Sequence, residues 1–426
     1  MSSFKKITNL YSLMKSQWWS NKKLKELQEK RLRSIIKFAY ENIPFYYKKY
    51  KKANVHPEDI KKIRDLSKIP FIDKNDIQKN LLKGIISPNI NINKCWTPHT
   101  GGSTGIPLKI VYDKSAEDFE KALALRPNLN CGQKIIDKWA VITNPSHIKT
   151  KKWFQHFGFF SPFYISSSLK TNNQISELEK FCPNIIDGFP SAIYLIAKEI
   201  EKRDKKINPR IIFSTAEILT NDVRNLIESV FQSKVFDQFG CVELGRTAWE
   251  CKEHNGYHID MESIVMEFIN NNCQVSPGEK GEIVYTGLYN YAMPLIRYRI
   301  GDVGIPSEEK CNCGRGLSLM KLVEGRKDDF ILTEEKGFLS PRIFSDFMKS
   351  FDGFEQYKII QDSKYKINVL LVKDDKLIVD TLKKIESGFK KIMGENINCN
   401  IKIVDEIQRE KSGKLRKIMS KIPVDL

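Results

Sequence analysis

The chain has 426 residues, 41% of them hydrophobic, and its 70 Lys and Arg against 52 Asp and Glu give a formal net charge of +18. This much apolar content can fill more than one domain, and the basic balance favours phosphates, anionic substrates or acidic surfaces. The lysines run from end to end without an aromatic RNA-binding motif, a two-Cys two-His finger or a basic zipper, so nucleic acid is not an expected partner.

No run of about 18 apolar residues occurs, which excludes an integral membrane segment. The opening "MSSFKKITNLYSLMKSQWW" lacks the uninterrupted apolar core and cleavage site of a secretory signal. A cytoplasmic protein is therefore expected. The nine cysteines are odd in number and mostly scattered, which suits a reducing compartment rather than a disulfide framework.

Residues 21–52 place Leu24, Leu27, Leu32, Ile35, Ile36 and Ala39 near helical spacing with a basic opposite face. The stretch reads as an amphipathic helix packed on its own domain, and peripheral association with a membrane stays open beside Trp18 and Trp19. Asp73 and Asp76 are cap candidates for a short helix that follows. Next comes "HTGGSTGIPLKIVYD" (99–113), where a loop of Thr100, Gly101, Gly102, Ser103, Thr104 and Gly105 is flanked by strand-like sequence. Small residues there let backbone N–H groups and hydroxyls approach a polyphosphate, although the spacing is not that of a Walker loop.

Short apolar runs at 139–145, 184–200, 210–219 and 233–240 alternate with helical segments, which implies strands joined by crossover helices and a largely parallel sheet. Residues 258–290 change to alternating strands with a Pro-Gly turn, a β-rich subdomain placed at about 245–323. From about Gly325 the texture is that of a small α+β domain ending in a basic tail. The expected fold is thus α/β, with a large N-terminal domain of mixed, largely parallel sheets over residues 1–327. A small, mobile α+β domain covers 328–426.

Read in order, "HTGGSTGIP", "STAE" (214–217), "FDQFGCVELG" (236–245), "YAMPLIRYRIGDVG" (291–304), "EGRKDDFI" (324–331) and "REKSGKLRK" (409–417) resemble the adenylate-forming superfamily. The resemblance is to its phenylacetate–CoA ligase-like branch, which includes capsule-biosynthesis ligase-like proteins, and it spans nearly the whole chain. It implies ATP-dependent activation of a carboxylic acid as an acyl-adenylate with release of pyrophosphate. Acyl transfer to an amine, such as an amino sugar or amino acid in surface-polysaccharide biosynthesis, or to a thiol would follow. An aryl- or acyl-CoA ligase, a nucleotidyl transferase that leaves AMP on its product, and an ATP-binding protein without catalysis are the alternatives. Segment 333–344 looks closer to the capsule-type members than to the aryl-CoA ligases, so coenzyme A is kept only as one candidate acceptor.

By this resemblance, Thr100 to Gly105 hold the β and γ phosphates. Ser214, Thr215, Ala216 and Glu217 line the adenine site, with Asp237, Gln238, Phe239 and Gly240 beside them, Phe239 as the stacking aromatic. Glu243 holds Mg²⁺, Asp302 accepts from the ribose hydroxyls, Arg326 contacts ribose or phosphate, Asp328 is the hinge, and Lys414 is the adenylation lysine. The acid pocket is sought among 139–145, 157–163 and 188–191.

One further cluster is read from the cysteines themselves. Cys251 and His254 have chelating spacing, and Cys311 and Cys313 lie about sixty residues on, a gap that a β-rich subdomain closes. The expected structural Zn²⁺ set is Cys251, His254, Cys311 and Cys313, with His258 as the alternative to His254 and reduced buried thiols as the competing reading.

Overall fold

The computed structural model describes residues 2–81, 84–100, 107–148, 150–203, 206–326, 329–334, 337–375, 377–410 and 413–422. Helices α1 (Ser2–Ser16), α2 (Asn21–Asn42) and α3 (Pro44–Lys52) open the chain. The expected single helix over 21–52 is therefore two, because Pro44 has no N–H to continue the first and instead starts the second. Their apolar faces pack on the molecule's own core: Gln28 donates to the Ile264 carbonyl at 2.7 Å and Tyr46 to that of Pro294 at 2.8 Å. Helix α4 (Lys74–Asn80) begins as its sequence predicts, with the Asp73 carboxylate accepting from Asp76 N–H at 2.7 Å and Asp76 answering to Asp73 N–H.

The long helix α5 (Lys114–Asn130) precedes a Rossmann-like run of β1 (Trp139–Thr143), β2 (Pro162–Ser166), α6 (Thr171–Phe181), β3 (Ile185–Gly188), α7 (Pro190–Lys202), β4 (Ile211–Thr215), α8 (Asn221–Phe231) and β5 (Val235–Cys241). The five strands are all parallel in the order β2-β1-β3-β4-β5. One face, with Ile142, Ile186 and Ile212, is covered by α6 to α8, and the other carries Ile185, Ile211, Phe213 and Phe236 against Cys131 at the end of α5.

The β-rich part is β6 (Gly245–Glu250), β7 (Tyr257–Ile259), β8 (Ile264–Asn270), β9 (Cys273–Gln274), β10 (Gly281–Gly287), β11 (Tyr298–Ser307) and β12 (Leu319–Arg326). It does not form a sheet of its own. Antiparallel pairing of β5 with β6 joins it to the parallel half in one twelve-stranded sheet. Beyond it lie the hairpin β13 (Ile331–Leu332) and β14 (Phe338–Leu339), helix α9 (Pro341–Lys349), β15 (Phe354–Ser363), β16 (Lys366–Lys373), α10 (Val379–Met393), β17 (Asn398–Ile403) and β18 (Ile418–Ser420). These build a second, four-stranded sheet ordered β17-β16-β15-β18 with its own core around Phe344, Ile359, Val369 and Phe389. The fold is thus α/β with a small separate C-terminal domain. No helix among the described residues is long and apolar enough to cross a membrane.

Candidate active site

The carboxyl ends of β3, β4 and β5 lie side by side, since Gly188 registers with Ser214 and Ser214 with Asp237. Such an edge is where open α/β sheets bind ligands. Behind the rim the polar side chains are locked to one another. Ser214 Oγ donates to Asp237 Oδ1 at 2.7 Å, Tyr257 OH donates to Asp237 Oδ2 at 2.7 Å, and the backbone N–H of Asp237 donates to Glu250 Oε2 at 2.8 Å. Burial and the nearby Glu250 push the Asp237 carboxyl up to about 7. The side chains of Ser214 and Asp237 are therefore spent inside the core, and what this edge offers a nucleotide is backbone and the half-buried Phe239. Gly240 is obligatory there, because a Cβ would lie 2.4 Å from the Gly245 carbonyl oxygen in the β5–β6 turn.

A strained turn follows β4. Ala216 holds φ at +71°, a left-handed value uncommon for a residue with a Cβ. This swings Glu217 back across the strand ends, where it accepts from Ser191 N–H at 3.0 Å, Ser191 Oγ at 3.1 Å and Leu415 N–H at 2.7 Å. Arg409 ties the same loop down by donating to Ser191 Oγ and to the Gly413 carbonyl, at 3.0 and 3.1 Å. The segment bearing Lys414 is thereby hydrogen-bonded to the large domain on the residue next to the lysine. Sequence reasoning gave Glu217 to the adenine site, placed Ser191 in a candidate acid-pocket segment and gave Arg409 no role; the left-handed turn in "STAE" that joins them has no signature without coordinates.

The acidic residues of the site come from neighbouring strands. Asp302 on β11 is in direct register with Arg326 on β12, with Arg326 Nε 3.7 Å from Asp302 Oδ1. Burial pushes the Asp302 carboxyl up to about 6, while Arg326 and Lys414 pull it down and Glu243 adds to the rise. Asp302, Arg326, Lys414 and Glu243 thus share one electrostatic environment although more than a hundred residues separate the first and last along the chain. Glu243 accepts from Tyr298 OH at 3.0 Å, and Tyr112 OH pins the Glu243 carbonyl at 2.7 Å. Thr100 closes the base of the glycine loop, its Oγ1 accepting from Leu108 N–H at 2.9 Å. Gly101, Gly102, Ser103, Thr104, Gly105 and Asp328 lie outside the described residues.

Where the antiparallel half adjoins β5, strand β7 and the segments that follow β6 and β11 bring Cys251, His258, Cys311 and Cys313 together, their ligand atoms all within 4.8 Å of one another. Cys251 Sγ is 3.6 Å from Cys311 Sγ, and Cys313 Sγ is 3.4 Å from His258 Nε2. A tetrahedral zinc with bonds of about 2.0 to 2.3 Å needs ligand separations of about 3.3 to 3.8 Å, which these two separations meet. The imidazole of His258 is neutral, its pKa pushed down to about 3 by burial and by Arg315 and Arg126.

His254, the expected ligand, is not in this cluster. Its backbone sits at φ +49°, and the ring turns away to stack on Phe236 at 5.0 Å, with Nδ1 3.5 Å from Glu250 Oε2. The Cys-x-x-His spacing suggested a chelate, but Cys251 and His254 are in a turn, whereas His258 is on β7 in register with Leu319 of the strand that follows Cys311 and Cys313.

Residues 331–421 match the family model for the CapK C-terminal domain. The chain is 28% identical over 406 residues to Protein CapK of Staphylococcus aureus, covering 92% of this chain and 88% of that protein. It is 27% identical over 327 residues to phenylacetate-coenzyme A ligase of Thermus thermophilus, covering 73% and 72%. Among solved structures, 2-hydroxyisobutyryl-CoA ligase in its postadenylation state superposes with a TM-score of 0.76 at 16% identity, covering 93% of this chain and 89% of that one. The chain is thus similar in sequence to CapK and to the phenylacetate-coenzyme A ligases, and it shares the fold of 2-hydroxyisobutyryl-CoA ligase.

Proposed function

We propose that this protein is an ATP-dependent, AMP-forming ligase that activates a carboxylic acid as its acyl-adenylate. The observation that carries the reading is Lys414 held in the electrostatic environment of Asp302 and Glu243 by the bonds Glu217 and Arg409 make to its loop. A carboxylate attacking the α-phosphate of ATP needs no strong base, but it approaches an anion, and fixed cations must offset that repulsion. In this reading Lys414 would bridge the α-phosphate and the incoming carboxylate, Asp302 would accept from the ribose hydroxyls, and Arg326 would contact ribose or phosphate. Glu243 would hold Mg²⁺, which neutralises triphosphate charge when bound. Thr100 and the loop to Gly105 would cradle the β and γ phosphates, with Phe239 against the adenine and Asp328 as the hinge.

The acyl group then passes to a thiol or an amine. The phenylacetate-coenzyme A ligases among the relatives favour a thiol, while the resemblance of segment 333–344 to the capsule-type members keeps an amine in surface-polysaccharide biosynthesis as the other acceptor. Cys251, His258, Cys311 and Cys313 would hold a structural Zn²⁺, closed by four protein ligands. The reading of the chemistry is tested by exchange of labelled pyrophosphate into ATP, screened over small acids. Lys414→Ala is expected to lower exchange by about 100- to 1000-fold, the loss typical of one preorganised donor, with ATP binding retained. Exchange at full rate in that variant removes Lys414 from the mechanism.

A further inference from the structure

Helix α1 has two apolar faces, and only one of them packs on the body of the protein. Leu10 and Leu13 turn toward Ala122 and Leu123 of α5. Polar bonds fix the same side: Lys6 Nζ lies 3.4 Å from Asp118, Ser16 Oγ donates to Glu262 at 2.6 Å, and Arg126 donates to the Leu13 carbonyl at 3.4 Å. Just past the helix, Gln17 Oε1 accepts from Arg315 Nε at 2.9 Å and its carbonyl from Gly316 N–H at 3.0 Å. A helix latched in this way ordinarily presents polar residues on its other side. Here the other side carries Phe4, Ile7 and Tyr11, spaced three and four apart so that they share one face, and exposed by 72%, 64% and 61%. Trp18 follows them, 52% exposed.

The charge around this stripe has one sign. Lys5, Lys6, Lys15, Lys22, Lys23 and Lys25 precede the first acidic residue of the chain, Glu26. Lys15 Nζ sits 4.4 Å from the centre of the Tyr11 ring and the Arg315 guanidinium 4.5 Å from that of Trp18, so cations border the exposed aromatics directly. Among the described residues the acids bonded to α1 are Asp118 and Glu262, which are buried on its inner side and also paired with Lys114 and Arg126. Two copies of the chain meeting through this face would bring like charges together with no acid to offset them. A nucleic acid would satisfy the cations and leave the apolar stripe in water. An anionic bilayer satisfies both, because the apolar side chains enter the boundary between headgroups and acyl chains while the lysines snorkel to the lipid phosphates.

We propose that the outer face of α1 docks this protein onto an anionic phospholipid surface, with Phe4, Ile7, Tyr11 and Trp18 inserted at the headgroup boundary. The helix is already formed and held on α5, so docking orders no new segment and its entropic cost is low. None of the four side chains belongs to the adenylation site, so the docking and the adenylation reading stand or fall separately.

The test is cosedimentation of the full chain with vesicles of phosphatidylcholine, with and without phosphatidylglycerol. Binding to the anionic vesicles should be at least about tenfold tighter than to the neutral ones and should weaken as salt rises. The triple variant Phe4→Gln, Ile7→Gln, Tyr11→Gln should lose about 10- to 100-fold in affinity with the melting temperature unchanged, since the exposed side chains support nothing in the fold and glutamine keeps the helix. Lys5→Glu combined with Lys15→Glu should abolish the preference for anionic vesicles. Trp18 supplies a second readout: fluorescence should shift to the blue on anionic vesicles, and Trp18→Phe should lose most of that shift. Trp153→Ser, which removes an aromatic 75% exposed outside α1, should bind as the wild type does. Equal binding to both kinds of vesicle, binding to neither, binding that the triple variant retains, or loss of binding in Trp153→Ser alone overturns the proposal. So does a dimer in analytical ultracentrifugation that the triple variant dissolves, which would assign the face to a second copy of the chain.

Discussion

Asp302 is ionised with difficulty because burial disfavours its charge, and this has opposite consequences for stability and for binding. Its pKa near 6 lies above the ordinary 3.8, so the folded state binds this proton more tightly than the unfolded chain does. The stabilisation it contributes is complete below about 3.8 and is lost as the pH rises through about 6. Acceptance from ribose hydroxyls needs the carboxylate, so ATP affinity should rise over the same window. Titration of ATP binding against pH for the wild type and Asp302→Asn checks this: the ratio of the two affinities should climb through about 6, and a flat ratio excludes Asp302 as the ribose acceptor. The two histidines near Cys251 separate just as cleanly. His258→Ala should lose bound zinc and His254→Ala should keep it, read as metal stoichiometry after purification without added metal.

Turns decide more at the scale of elements than the strands themselves do. The strands over 139–143, 211–215 and 235–241 fall where their apolar runs predict, since a short β-branched and aromatic run has few alternatives once crossover helices flank it. Pro44 and Ala216 mark places where a single residue redirects the chain, one by lacking an N–H and the other by its left-handed backbone. Gly240 is the strictest of these. Gly240→Ala places a methyl against the Gly245 carbonyl and the Arg246 Cα, both backbone, so relief requires the β5–β6 turn to open. A fall in unfolding free energy of about 2 to 4 kcal/mol is expected, measured by denaturant titration. The β6–β7 and β11–β12 connections are tied by the proposed metal, and chelation should lower the melting temperature of the wild type but not of Cys311→Ser, which starts without it.

Among the described residues the two bodies meet through polar contacts and one small apolar cluster of Val303, Phe330 and Phe338. Lys202 reaches Glu355 at 2.9 Å and Lys349 reaches Asp222 at 2.8 Å, and the loop around Lys414 adds the bonds from Arg409 and Leu415 with the Arg416–Asp329 pair. The Lys202–Glu355 and Lys349–Asp222 pairs are the more exposed ones and contribute at most about 1 kcal/mol each, which is compatible with the proposed release of the small domain between steps. On the proposal that Asp328 is the hinge, Asp328→Pro should spare exchange of pyrophosphate and impair transfer to the acceptor. Glu217→Gln weakens the grip on Leu415 and should do the reverse, lowering exchange by about tenfold while a supplied acyl-adenylate is still consumed at the normal rate. Equal loss of both steps in either variant contradicts the division of labour.

The amino-acid sequence alone determined the α/β class, the ordered series of motifs, the small C-terminal domain and the meeting of Cys251 with Cys311 and Cys313, because periodicity and short motifs are local properties. The fusion of parallel and antiparallel halves into one sheet was decided by the β5–β6 pairing. The exchange of His254 for His258, the locking of Ser214 onto Asp237, and the latch from Glu217 to Leu415 likewise depend on which side chains the folded backbone turns toward one another.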